Sequence, residues 1–344
     1  MTRNVDLRSD TVTHPIPEMY EAMAQAELGD DDLGDDPTVH ELEALAAERL
    51  GKEASVIVTS GTMANLVAVL THAEPGDSIL CEASSHISHE DGMEVVARVC
   101  RVPIEGHRGF MSPDAIEETI VSMDGNRVSL FCMENTHNAH GGIPLTPEQL
   151  SKMAGTAHKH GLKVHMDGAR LFNAATSLGI KASELTEDVD SVMFAMSKGL
   201  SCPVGSILAG PRDYIEKARR FRKIVGGSMR QTGIVAACGI VALNHVIPRL
   251  PEDHARARRL AEAIAEMPEL QVDLETVHTN MTYFETTDLP IDAAEFVSRI
   301  EEHGIFAFAP RLNRIRLVTH LHISDDDIEH AINVIRKTAK EAKA

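Results

Sequence analysis

Three short stretches of this 344-residue chain carry side chains whose types and positions suit a single piece of chemistry. In Ala195-Met196-Ser197-Lys198-Gly199 a lysine directly follows an apolar run that reads as a buried strand. At the carboxyl edge of an open α/β sheet such a lysine faces the crevice where ligands bind. Desolvated there, its amine loses proton affinity and can capture a carbonyl as a Schiff base. Taken alone, the same lysine could begin a loop and point to water. In Val164-His165-Met166-Asp167-Gly168 an aspartate ends another apolar run, one strand earlier. By itself a strand-end aspartate reads as a helix cap. Beside a strand-end lysine it suits a protonated pyridine nitrogen, which pyridoxal phosphate needs in order to act as an electron sink. Thr59-Ser60-Gly61-Thr62-Met63 lies between a strand and a helix. Gly61 permits a tight turn, while Ser60 and Thr62 bring hydroxyls and N–H groups to a helix amino terminus, a ready anion site. On its own that stretch is a plain N-cap, and it is not the dinucleotide fingerprint, which needs GxGxxG. A phosphate cradle, an aldehyde-capturing lysine and a pyridine-holding aspartate together fit one cofactor, pyridoxal 5′-phosphate.

Those groups need strands and helices in alternation to hold them. Apolar runs at Ser55–Thr59, Ser78–Cys81, Val128–Met133, Lys163–Met166, Ser191–Ala195 and Ser206–Ala209 read as strands. Helical spacing marks Thr38–Leu50, Met63–His72 and Pro147–His160. Continuous apolar strands alternating with helices predict a mostly parallel α/β sheet covered on both faces. From about Pro248 the texture changes to a charged helix (Glu252–Glu266), weaker strands at Thr282–Glu285 and Arg314–Val318, and a last helix from Asp325. The expected organisation is an N-terminal segment, residues 1–20, that contributes to the active site, a large cofactor-binding domain over 21–247, and a smaller α+β domain over 248–344.

Composition narrows the partners. The chain is 43% hydrophobic and 25% charged, the mixture of a folded globular protein, and its length favours two domains. A formal charge of −19 repels polyanions and anionic lipid, so neither nucleic acid nor a membrane surface is expected. Three tyrosines, nine phenylalanines and no tryptophan leave almost no base-stacking platform. No stretch reaches about 18 uncharged apolar residues. The five cysteines, Cys81, Cys100, Cys132, Cys202 and Cys238, form no CxxC pair, which suits a reducing cytoplasm. No metal-ligand set is expected, and the partner is a small molecule.

The ordered motifs then carry a resemblance. DLRSDTVT (Asp6–Thr13), GDDP (Gly34–Pro37), SGTMAN (Ser60–Asn65), ENTHN (Glu134–Asn138), HMDGAR (His165–Arg170), SKGL (Ser197–Leu200), MRQTG (Met229–Gly233) and IRLVTH (Ile315–His320) stand in sequence. Over essentially its whole length the chain resembles the low-specificity L-threonine aldolases, fold-type I pyridoxal-phosphate enzymes of the β-eliminating lyase group. The resemblance implies the fold-type I, transferase-like architecture and retro-aldol cleavage of L-threonine or L-allo-threonine to glycine and an aldehyde. The alternatives on the same scaffold are a phenylserine-type aldolase and a β-eliminating lyase. It further implies that Lys198 carries the cofactor, Asp167 pairs with its ring nitrogen and His86 stacks on the ring. Gly61 and Thr62 would hold the phosphate, with Arg230 and Lys223 reaching it from a neighbouring subunit of a homodimer or homotetramer. Ser9, Arg170 and Arg316 would grip the substrate carboxylate, with Arg170 also near the cofactor, and His137 would lie near the β-hydroxyl. Of Arg314 and Arg316, only one is expected to point at the site.

Two departures fall at the expected substrate mouth. After His86 the family shows an aromatic-rich stretch ending in Tyr-Glu, the glutamate five places on; here Asp91 holds that place and Glu90 precedes it. Leu33-Gly34 replaces the usual Tyr-Gly before the Asp-Pro pair. Both remove aromatic and hydroxyl groups.

Overall fold

The computed structural model describes residues 4–123 and 127–343. The chain enters through β1 (Val5–Asp6) and then lays down a seven-stranded sheet. Its strands are β2 (Ala54–Val58), β3 (Ser78–Glu82), β4 (Cys100–Ile104), β5 (Val128–Glu134), β6 (Lys163–Asp167), β7 (Ser191–Ala195) and β8 (Ser206–Gly210). Their spatial order is β2-β8-β7-β6-β5-β3-β4. The strands from β7 to β4 pair in parallel, and β8 alone runs antiparallel to both its neighbours. Every residue of β3, β7 and β8 is buried, as expected for strands with helices on both faces. The strand β4 has no counterpart in the sequence reading, because Pro103 interrupts its run. It lies at the sheet edge, where a missing ladder donor is tolerated.

The helices begin and end on recognisable chemistry. Asp36 caps the helix Pro37–Leu50 by accepting from the Val39 N–H at 3.1 Å, and Gly51 closes it at a φ of +62° that only glycine adopts without strain. Thr146 and Gln149 form a reciprocal capping box at the start of Pro147–Lys159. Ser60 caps Gly61–His72, which starts two residues before the apolar periodicity suggests.

A second core forms around the antiparallel sheet of β9 (Met281–Glu285), β11 (Phe308–Arg311) and β12 (Arg314–Val318). Phe284 and Phe296 meet edge-on there at 5.8 Å. The N-terminal segment belongs to this core: β1 pairs in parallel with β10 (Ile305–Phe306), and Val5 and Leu7 pack among its buried residues. The chain then runs from Leu7 to the carboxyl edge of the large sheet, bringing Ser9 and Asp10 with it.

Among the described residues one helical run, Gly233–Ala265, is long and apolar enough by length and composition to cross a membrane, although Asn244, His245 and Arg249 interrupt its apolar residues. Half of its apolar window is buried, and Ala236, Cys238, Leu243 and Leu250 pack into the main core. The expected boundary between residues 247 and 248 falls inside this run.

Candidate functional site

The parallel strands point their carboxyl ends to one side, and most of the chemistry-bearing residues gather there. Glu134 ends β5, Asp167 ends β6, and Lys198 follows β7 by three residues. They open onto a cavity of about 390 Å³. Of the expected site residues, Ser9, Gly61, Thr62, His86, Asp167, Arg170, Lys198 and Arg316 line it; His137, Lys223 and Arg230 do not.

No hydrogen bond or ion pair holds the Lys198 amine among the described residues. Its burial, with the nearby Arg170 charge, pulls its pKa below the usual lysine value, against the opposing pull of Asp167 and Asp10. Asp167 is 2% exposed. Its Oδ2 accepts from Asn65 Nδ2 at 2.8 Å and its Oδ1 from the Ala169 N–H at 3.0 Å. Burial alone would raise its pKa, but Lys198, His86 and these two donors hold the carboxyl below its ordinary value. Across the cavity, Gly61 and Thr62 take the first two positions of their helix, where N–H groups have no intrahelical partner. A Cβ on Gly61 would come within 3.2 Å of Met193 Cε, so a larger residue would crowd this wall.

His86 starts a single turn of helix, and Glu90, four residues on, reaches back so that its Oε1 lies 2.9 Å from His86 Nδ1. That contact is the main reason the imidazole is more basic than usual. The departure noted after His86 thus places a carboxylate on its ring. Glu134 fixes the surrounding backbone, accepting from the His86 N–H at 2.6 Å and the Asn138 N–H at 2.7 Å.

The two expected arginines at the cavity are held differently. Arg170 is held to Asp10, a fully buried carboxylate, through Nε (2.8 Å) and Nη2 (2.7 Å), with Nη1 3.4 Å from Asn138 Oδ1. The pair uses the Nε edge and one Nη2 hydrogen, so the end-on edge of Arg170, its Nη1 and the second Nη2 hydrogen, stays available to a substrate carboxylate in the cavity it lines. Arg316 is more loosely held, by Asn138 Oδ1 at 3.3 Å and the Arg8 carbonyl at 3.1 Å, with Phe308 beneath its guanidinium at 5.0 Å. Only Arg316 of the two expected arginines lines this cavity, although Arg314 and Arg316 stand two apart in β12 and so share a face. Arg314 lies over the Tyr283 ring at 4.1 Å and lines an adjoining cavity of about 370 Å³, which also touches His86, Glu134 and Arg316.

His137 faces away from the cavity that Thr136 and Asn138 line. Extended backbone turns alternate side chains to opposite sides, so flanking residues in the cavity leave His137 on the far side. There it is fully buried, its Nε2 2.9 Å from Glu82 Oε2, and packed so tightly that a Cβ on Gly109 would come within 2.7 Å of its ring. Glu82, His137 and His140 bring their ligand-type atoms within 4.8 Å of one another. The Glu82 Oε2 oxygen already accepts from the Ser84 N–H and hydroxyl as well. Lys223 and Arg230 lie on the surface, paired with Asp32 and Asp30, and Leu33 beside them is 75% exposed.

Four residues at the site were not singled out by chemistry alone: Asp10, Asn65, Glu134 and Asn138. All lie inside the quoted motifs DLRSDTVT, SGTMAN and ENTHN, and that was the available signal.

Comparison with known proteins agrees with this geometry. Residues 6–287 match the family described as Beta-eliminating lyase. The low-specificity L-threonine aldolase 1 of Arabidopsis thaliana is 39% identical, covering 97% of this chain and 96% of its own. The low specificity L-threonine aldolase of Escherichia coli K12 is 40% identical, covering 94% of this chain and 96% of its own. The structure of Leishmania major threonine aldolase, at 17% identity, shares the fold with a TM-score of 0.83 over 97% of this chain and 99% of that one. The chain belongs to the beta-eliminating lyase family, together with the low-specificity L-threonine aldolases.

Proposed function

We propose that this protein is a pyridoxal 5′-phosphate-dependent carbon–carbon lyase that cleaves L-threonine and L-allo-threonine to glycine and acetaldehyde. The observation that carries the reading is the meeting of three features on one cavity: the half-buried Lys198 amine with no partner among the described residues, the ionised Asp167 carboxylate and the open amino terminus of Gly61–His72. These fit the cofactor's aldehyde, ring nitrogen and phosphate in turn. The relatives named above support the choice of substrate.

When bound, pyridoxal phosphate supplies a carbonyl for amines and a sink for the electron pair released from Cα. The protein does the rest. Lys198, with its lowered proton affinity, gives up its proton to act as a nucleophilic amine more readily than a free lysine. Asp167 would accept a hydrogen bond from the ring N–H and keep that nitrogen positive. The N–H groups of Gly61 and Thr62 would meet the phosphate. Arg316, with Ser9 and the end-on edge of Arg170, holds the substrate carboxylate and so fixes which bond at Cα stands in line to break. His86, the one expected histidine that lines the cavity, takes the proton from the β-hydroxyl as the Cα–Cβ bond opens. The aldehyde departs, a proton returns to Cα, and glycine leaves. Exposed Lys223 and Arg230 lie outside their own chain's cavity, which supports a homodimer or homotetramer in which they serve a neighbour. Five free thiols suit a reducing, cytoplasmic setting.

The test is product analysis. Purified protein with L-threonine should give glycine and acetaldehyde in equal amounts. Formation of 2-oxobutyrate from threonine, or pyruvate from serine, would make it a β-eliminating lyase instead. Turnover of phenylserine far above threonine would assign the phenylserine-type activity.

A further inference from the structure

A chain of hydrogen bonds runs from Asp167 through Asn65, at the cavity wall, into the protein interior. Asn65 Nδ2 lies 2.8 Å from Asp167 Oδ2, and Asn65 Oδ1 lies 3.2 Å from His165 Nε2. His165 Nδ1 lies 2.8 Å from Ser191 Oγ, which in turn lies 2.8 Å from His72 Nε2. Asn65, His165 and Ser191 are buried, and His72 stacks on the Tyr214 ring at 4.4 Å.

The direction of every bond follows from the first. A carboxylate only accepts, so Asn65 gives Asp167 its amide NH₂ and turns its Oδ1 to His165. That oxygen also only accepts, so His165 Nε2 carries a hydrogen. Burial drops the pKa of His165 to about 4, so the ring is neutral and its Nδ1 is a bare acceptor. The Ser191 hydroxyl must donate to it. With that hydrogen used, the Ser191 oxygen can only accept from His72, whose Nε2 is therefore also protonated. Every donor points toward Asp167, and hydrogen bonds in such a chain polarise and strengthen one another.

We infer that Asn65, His165, Ser191 and His72 form a one-way hydrogen-bond relay that positions the Asp167 carboxylate and holds it ionised against its burial. The four are positioning residues; none but Asn65 reaches the cavity. The consequence for turnover rests on Asp167 pairing with the cofactor ring, as proposed above, whereas the direction of the relay does not.

The experiment has two parts, run on protein supplied with pyridoxal phosphate. Long-range proton–nitrogen correlation on histidine-labelled protein should show His165 and His72 both neutral with hydrogen on Nε2. Ser191→Ala cuts the relay at its middle without touching the cavity. It should lower kcat about 2- to 10-fold, the worth of one hydrogen bond, leave KM for threonine unchanged, and shift the pH midpoint of the bound cofactor's visible absorbance. Ser191→Thr, which keeps the hydroxyl, should restore both. A hydrogen on Nδ1 of either ring, or a Ser191→Ala protein with unchanged kcat and midpoint, would overturn the relay. If Ser191→Ala does not fold, the tautomers in the unaltered protein still decide. Protein that takes up no pyridoxal phosphate would sink the proposed function, while the tautomers on that sample would still judge the relay.

Discussion

Asp167, on the floor of the cavity, meets a donor with each of its oxygens and is almost entirely out of water, whereas His86, at the mouth, leaves 50% of its side chain exposed and rests on one carboxylate. The same contrast separates the two arginines that line the cavity. Arg170 is clamped by a two-pronged ion pair with a buried aspartate, while Arg316 has two long hydrogen bonds and an Nε with no partner. Groups that must stay charged away from water are fixed by the protein itself, because a buried charge without partners is very costly. Groups that meet an incoming substrate keep hydrogen-bonding capacity in reserve. Catalysis at such a site draws on a rigid, preorganised floor and a mouth that completes its contacts only with ligand present.

Mutations at the two levels should therefore fail differently. The largest effect belongs to the floor: Asp10→Ala leaves the Arg170 charge buried and unpaired and should lower stability by about 3–5 kcal/mol, measured by urea unfolding. A loss near zero would mean the pair is not structural. At the mouth, His86→Phe keeps a ring over the site but cannot take a proton. It should fold normally while kcat/KM for threonine falls about 10²- to 10⁴-fold. Arg316→Gln should raise KM for threonine about 10- to 100-fold, the worth of charge-assisted hydrogen bonds, with kcat much less affected. A matching fall in kcat would place Arg316 with the floor. The mildest change is Glu90→Gln. Glu90 is what raises the His86 pKa, so its loss lets that pKa fall. Because His86 acts in its neutral form, the acid limb of the kcat/KM profile should move to lower pH; an unmoved limb would remove His86 as the base.

The floor was largely legible in the sequence and the mouth was not. Lys198, Asp167 and the Ser60–Thr62 turn announce themselves through local signals, a strand ending or a helix beginning, which need only a few neighbouring residues to recognise. The ion pair between Asp10 and Arg170 joins positions 160 apart, and no local pattern predicts it. It depends on β1, a strand of only two residues whose partner lies near the other end of the chain. His137 was misplaced for the opposite reason. Its residue type suited catalysis, but its side was settled by backbone alternation between Thr136 and Asn138, both of which line the cavity. The edge strand β4 was hidden by Pro103, a residue that argues against a strand everywhere except at an edge.

The central claim is that this cavity is a pyridoxal-phosphate site anchored on Lys198. Borohydride reduction of the protein loaded with pyridoxal phosphate, followed by peptide mass mapping, tests it most directly. The account predicts one stable pyridoxyl group, on the peptide that contains Lys198, and its absence from Lys198→Ala. A label on another lysine, or none at all, would contradict it.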